Sequence, residues 1–240
     1  MGIAKLLEFF KKDTVEVHPL ISRNKQAFRI FERNLPLHEY EMVVFDTELT
    51  GLDVKKDEIV AIGAVKIRNL QIQCAETFYA LVKPEEHFHT PSTLVHRITP
   101  QELNHAEKLE DILPRFLEFC GDAVHIGHYL RLDLDFFNAA SKRLLGGVVT
   151  TPYLDTMRLA MAYNEAKHGH YYDHSNIHGA YTLDALSKEF GLPVFTAHNA
   201  LQDSLQTAYL FLFLAKKMRD YGFRTMSDYL MAGRKWKIIL

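Results

Sequence analysis

Apolar and polar positions change rhythm along this chain, and the changes predict its elements. Residues 42–48, Met-Val-Val-Phe-Asp-Thr-Glu, run apolar for four positions and then break into two acids flanking a threonine. A short apolar run bounded in this way reads as a buried strand. Stretches 58–67 and 71–83 read as two more strands joined by a turn around Asn69, which makes an antiparallel meander. Beyond them the helical period takes over at 108–120, 133–145, 155–165, 182–190 and 199–219, with a short strand at 123–127. In the last of these helices Leu201, Leu205, Ala208 and Leu212 form one core-facing stripe. Strands with helices on their faces predict an α/β sandwich.

The ends differ from this middle. Ile3, Leu6, Leu7 and Phe10 recur at helical spacing and predict a short amphipathic helix that packs on the core. A second helix is expected at 25–34, ending before Pro36. The expected organisation is a helical extension at 1–40, one main domain at 41–220 and a helical tail at 221–240, its helix capped by Thr225.

Composition narrows the class. With 240 residues, 48% of them hydrophobic and 24% charged, the chain can bury a sizeable core. Cys74 and Cys120 form no CxxC pair, so neither a disulfide framework nor a thiolate zinc site is expected, and a reducing cytoplasm fits. No apolar stretch reaches membrane-span length and no signal-type segment opens the chain, so the expectation is a cytosolic protein without a membrane partner. A net charge of −2 and a pI of about 6.7 argue against gripping a long duplex through many phosphates. A short single-stranded end held by metal ions is compatible.

The candidate chemistry lies in Asp46, Glu48, Asp133, His198 and Asp203. On a strand, positions i and i+2 share a face, so Asp46 and Glu48 point the same way from a buried strand end. Desolvating two like charges is costly unless a cation neutralises them. Asp203 stands near a helix start, where the helix dipole favours an anion. A helical His198 would point roughly 140° away from Asp203, so the two can share a site only if His198 sits on the preceding loop. Paired divalent ions about 4 Å apart activate water and stabilise the leaving oxygen in phosphodiester cleavage. Hard oxygen donors select Mg²⁺ or Mn²⁺. Histidine, ordinarily titrating near about 6.5, suits a general base at neutral pH.

Asp46-x-Glu48 followed by Thr50-Gly51, then Gly127-His128 with Asp133, then His198-x-x-x-x-Asp203, resembles the DEDDh 3′–5′ exonucleases. These belong to the DnaQ-like superfamily, which includes the proofreading epsilon subunit of bacterial DNA polymerase III. Leu154-Asp155-Thr156 and Thr182-Leu183-Asp184-Ala185-Leu186 look like further landmarks, and the resemblance covers about 41–215. It implies a ribonuclease H-like three-layer sandwich with a mixed central sheet. It also implies two metal ions: Asp46, Glu48 and Asp203 hold the one that activates water, Asp46 and Asp133 the one at the leaving group, and His198 acts as base. Phe45, Thr47, Leu49, Thr50 and Gly51 border the terminal nucleotide, Thr47 and Leu49 largely through backbone groups, and His128 is a further substrate-binding candidate, with a structural role as its plainer reading. The implied substrate is a single-stranded or frayed 3′ end of DNA, removed in proofreading or repair beside a DNA polymerase. An RNA-end trimmer of the same superfamily and a catalytically silent nucleic-acid-binding scaffold are the competing readings.

The chain departs from the family pattern at Leu49 (usually Thr), Tyr129 (commonly Asn) and Arg97 (often Gly after His96). None of the three removes a metal ligand. Asp53, Asp57 and Glu58 read as solvated turn acids, Asp135 as an exposed neighbour of Asp133, Asp155 as a helix cap, and His96 as structural. His168, His170, His174 and His178 fall in a Gly- and Asn-containing stretch that reads as a polar loop.

Overall fold

A computed structural model of the chain describes residues 15–85, 98–169, 177–195 and 198–235. The amphipathic stretch at 3–11, His96, Arg97 and most of the histidine-rich segment lie outside them. One sheet contains β1 (Met42–Leu49), β2 (Ile59–Arg68), β3 (Gln71–Lys83), β4 (Glu107–Lys108), β5 (Val124–Gly127) and β6 (Tyr153–Asp155). The spatial order is β4-β3-β2-β1-β5-β6. The first three strands form the expected antiparallel meander, while β5 runs parallel to β1 and β6 parallel to β5.

Strand alternation assigns each side chain of β1 to one of two cores. Met42 and Val44 pack with α5 (Thr156–His168), α8 (Ala200–Met218) and α9 (Met226–Lys235). Val43 and Phe45 pack on the opposite face with α3 (Leu109–Cys120), α4 (Arg131–Leu145) and Ile21 of α1 (Pro19–Ala27). The result is the three-layer α/β sandwich expected from the sequence. Short helices α2 (Pro100–Asn104), α6 (Ile177–Ala180) and α7 (Leu183–Glu189) and the 3-10 turns Leu37–Glu39 and Arg219–Tyr221 complete the described elements.

Two features of this topology open a site. Parallel pairing of β1 with β5 ends at Val44↔Ile126, so Asp46 and Glu48 project past the carboxyl end of the neighbouring strand. Ligand crevices of open α/β sheets form at such ends. α8 also begins directly on β2. A Cβ built on Gly63 would lie 2.2 Å from the Ala200 carbonyl carbon, and Ser204 Oγ donates to the Gly63 carbonyl at 2.9 Å.

Several expectations need correction. The helix placed at 25–34 is Pro19–Ala27: Pro19 supplies the preset φ of a first helical turn, the His18 ring accepts the Leu20 N–H, and Ile21 is the buried anchor. β4 and β6 went unread, being two and three residues long. α5 extends through Lys167 and His168, so the polar loop starts later than expected. Thr225 does not cap α9 as an acceptor; its hydroxyl and N–H both donate to Asp228.

Candidate active site

Alternation along β1 sends its two acids and the threonine between them to opposite faces. Asp46 and Glu48 point toward α8, and Asp203 in that helix's first turn meets them. Carboxylate oxygens of Asp46, Glu48 and Asp203 all lie within 4.8 Å of one another. Thr47 points toward α4, where Asp133 stands in the first turn. Asp133 Oδ1 accepts the Thr47 backbone N–H at 3.1 Å and also the Thr47 hydroxyl. Asp203 Oδ2 accepts the backbone N–H of His198 at 2.9 Å, and Asn199 caps the helix by accepting the Gln202 N–H.

The cluster concentrates negative charge where water is scarce. Burial, and then the charges of Asp133, Asp203 and Glu48, hold the Asp46 carboxyl well above the usual carboxylate range. Burial is also the leading cause for Glu48, pushed up to about 8, with Asp203 and Asp133 adding to it. Asp133 rises through burial even though Thr47 donates to it, and Asp203 rises against the opposing His198 N–H. Glu48 Oε1 is buried and has no hydrogen-bond partner. An orphaned buried acceptor is expensive, and a divalent cation is the partner that hard, convergent oxygens suit. The residues therefore fit such an ion.

His198 does lie outside the helix, on the loop before Asn199, with its side chain exposed and φ +63°. Tyr129, between β5 and α4, has φ +54°. Asn tolerates that left-handed backbone better than Tyr. The Phe45 ring is fully buried against Phe116, Phe137 and His125, so its side chain does not border the crevice as expected; strand parity puts it in the core. Leu49 is partly buried against that same core. Thr50 Oγ1 donates to Asp57 and accepts the Glu58 N–H. Gly51 abuts Asp57 with no room for a Cβ, so Asp57 staples the turn and is not a freely solvated acid. Both ring nitrogens of His128 are engaged, one with Thr156 Oγ1 and the other with the Tyr181 carbonyl. Asp135 pairs with Arg131, and Asp155 caps α5 by accepting the Met157 N–H.

Two residues near the site escaped the sequence reading. Gly63 lets the helix that carries Asp203 approach the sheet, and a glycine between Ile62 and Ala64 in an apolar strand was the available signal. Tyr79 is the cross-strand partner of Gly63 and 45% exposed, close enough to Glu48 to feel its charge. Its position follows from register alone.

The family model described as Exonuclease, RNase T, matches residues 43–211. This chain belongs to that exonuclease family. The match spans the acids, His198 and every strand of the sheet. A DNA polymerase III PolC-type protein of Thermotoga maritima is 31% identical over 209 residues, 87% of this chain and 14% of the polymerase. The chain thus spans about one seventh of the length of that curated relative. Among solved structures, Exonuclease X in complex with 5′ overhanging duplex DNA superposes with a TM-score of 0.55 at 22% identity, covering 80% of this chain and 99% of that one. A 3′-exonuclease that recognises the histone mRNA stem-loop gives 0.57 at 14% identity, covering 90% and 75%. These two share the exonuclease fold with this chain. No described helix is long and apolar enough to cross a membrane.

Proposed function

We propose that this chain is a DEDDh-type 3′–5′ exonuclease acting on single-stranded or frayed DNA ends, with two divalent ions, Mg²⁺ or Mn²⁺, as cofactors. The observation that carries it is the convergence of Asp46, Glu48 and Asp203 oxygens within 4.8 Å, with Glu48 Oε1 buried and unpartnered. In the same crevice Asp133 faces Asp46 strongly enough to raise its pKa. Asp46, Glu48 and Asp203 would hold one ion, and Asp46 with Asp133 the other. Bound there, the ions supply charge neutralisation and Lewis acidity toward a scissile phosphate.

The protein's own groups divide the remaining work. His198, exposed on its loop and donating its backbone N–H to Asp203, presents an imidazole that can take a proton from the attacking water. Thr47 fixes Asp133 through two hydrogen bonds, so that carboxylate reaches the crevice in one orientation. Backbone groups of Thr47 and Leu49, with Thr50 and Gly51 beyond them, are the surfaces offered to the terminal nucleotide. The sequence relation to a PolC-type polymerase favours DNA over RNA and a role beside a polymerase.

Product ladders from 5′-labelled DNA and RNA strands of one sequence test this reading. Stepwise shortening from the 3′ end, dependent on Mg²⁺ or Mn²⁺ and faster on DNA, is expected. Faster RNA digestion would reassign the substrate, and no digestion of either strand would leave the scaffold reading.

A further inference from the structure

β6 is an edge strand, and along it lies a cavity of about 350 Å³ whose wall contains none of Asp46, Glu48, Asp133 or Asp203. Three guanidinium groups, from Arg33, Arg158 and Arg234, line it together with Phe28 and Tyr153. Elsewhere Arg23, Arg68, Arg115, Arg131 and Arg143 each hold a carboxylate, whereas Arg29, Arg219 and Arg224 form no salt bridge among the described residues. Among the described residues, the three cavity arginines form no salt bridge.

Arg158 is the most informative of them. Its Nη1 donates to the Gly233 carbonyl at 3.3 Å, which fixes the guanidinium at the cavity wall. Its Nε is buried with no hydrogen-bond partner. A buried N–H of a charged group left without an acceptor is costly. Asp155, the acid on this wall, accepts the backbone N–H groups of Met157, Arg158 and Tyr129 and feels the charge of Arg158, which leaves Arg33 and Arg234 without a carboxylate on this wall. Positive charge is therefore in excess, and aromatic rings stand beside it.

We propose that this cavity is a second nucleotide site, in which Arg33, Arg158 and Arg234 hold a phosphate and the sugar and base lie toward Tyr153 and Phe28. Guanidinium forks match phosphate oxygens, and aromatic faces accept any base. The volume suits one nucleotide. Through Asp155 the cavity backs onto Tyr129 and the turn leading into α4. The phosphate has two sources, a free nucleoside monophosphate or a nucleotide within a bound strand. The inference goes beyond the exonuclease reading, because it requires nucleotide chemistry but no hydrolysis.

Binding of dTMP, of labelled dT15 and of labelled dT3 to the full chain in EDTA tests it. The variants are Arg158→Gln and the double variant Arg33→Gln/Arg234→Gln; the latter alters two exposed side chains and guards against misfolding of the former. A roughly tenfold loss of dTMP affinity identifies a free-nucleotide site. A similar loss for dT15 with dT3 unaffected, and a salt dependence shallower by about two in the double variant, identifies a strand site. Wild-type affinity for both dTMP and dT15 in the double variant overturns the proposal. Digestion of dT3 with Mg²⁺ is expected at the wild-type rate in the double variant. Absence of digestion by the wild type would sink the exonuclease reading and leave the binding result standing.

Discussion

Asp46 and Gly63 are direct partners across β1 and β2, and the first turn of α8 lies on Gly63 with no space for a methyl group. That contact brings Asp203 down to Asp46. Gly63→Ala must therefore displace backbone, and overpacking of this kind costs about 1–3 kcal/mol. The variant should fold with a lowered Tm, bind Mn²⁺ at least tenfold more weakly and lose most activity. Wild-type metal affinity in Gly63→Ala would separate this helix contact from the site.

The acid cluster predicts an unusual pH dependence of stability. Glu48 titrates near 8 in the folded chain, and Asp46, Asp133 and Asp203 are also raised. Unfolded carboxylates titrate near about 4. Between those limits the folded chain holds protons that the unfolded chain has released, so stability falls as pH rises. Without metal, Tm should drop from pH 5 to pH 8, and added Mg²⁺ should raise Tm more at pH 8 than at pH 5. A metal effect of equal size at both pH values would contradict this.

Thr47 donates twice to Asp133, and only the hydroxyl can be removed by substitution. Thr47→Val keeps the shape and leaves the buried carboxylate one donor short, at a cost of about 1–3 kcal/mol. Turnover should fall while the Asp46–Glu48–Asp203 cluster persists, and Thr47→Ser should restore it. Equal rates for the Val and Ser variants would remove Thr47 from the positioning of Asp133.

His198 contacts Asp203 through its backbone N–H, so its imidazole can be deleted without moving that acid. His198→Ala should lower kcat by roughly 10²–10⁴, the range of a general base, with Mn²⁺ affinity unchanged. A joint loss of kcat and metal binding would point to a structural role.

Much of this site was legible because its acids carry local patterns. Asp46-x-Glu48 closes an apolar strand, Asp133 and Asp203 open helices, and the helical angle between positions 198 and 203 forced His198 onto a loop, where it stands. Asp133 over Asp135 followed from register, and burial agrees: Asp133 is 7% exposed, whereas Asp135 faces Arg131. What escaped was set by tertiary approach. Gly63 matters through a helix distant in sequence, and β6 is too short for periodicity to mark. The ring of Phe45, implied by the resemblance to border the terminal nucleotide, is turned into the core by strand alternation.

Titration calorimetry with Mn²⁺ on the wild type and on Asp46→Asn tests the central claim most directly, since Asp46 is the carboxylate common to both ion positions. Wild-type protein should bind Mn²⁺ with proton release at pH 7, and the variant should lose that heat while remaining folded. Undiminished binding by Asp46→Asn, or no binding by the wild type, would contradict the account.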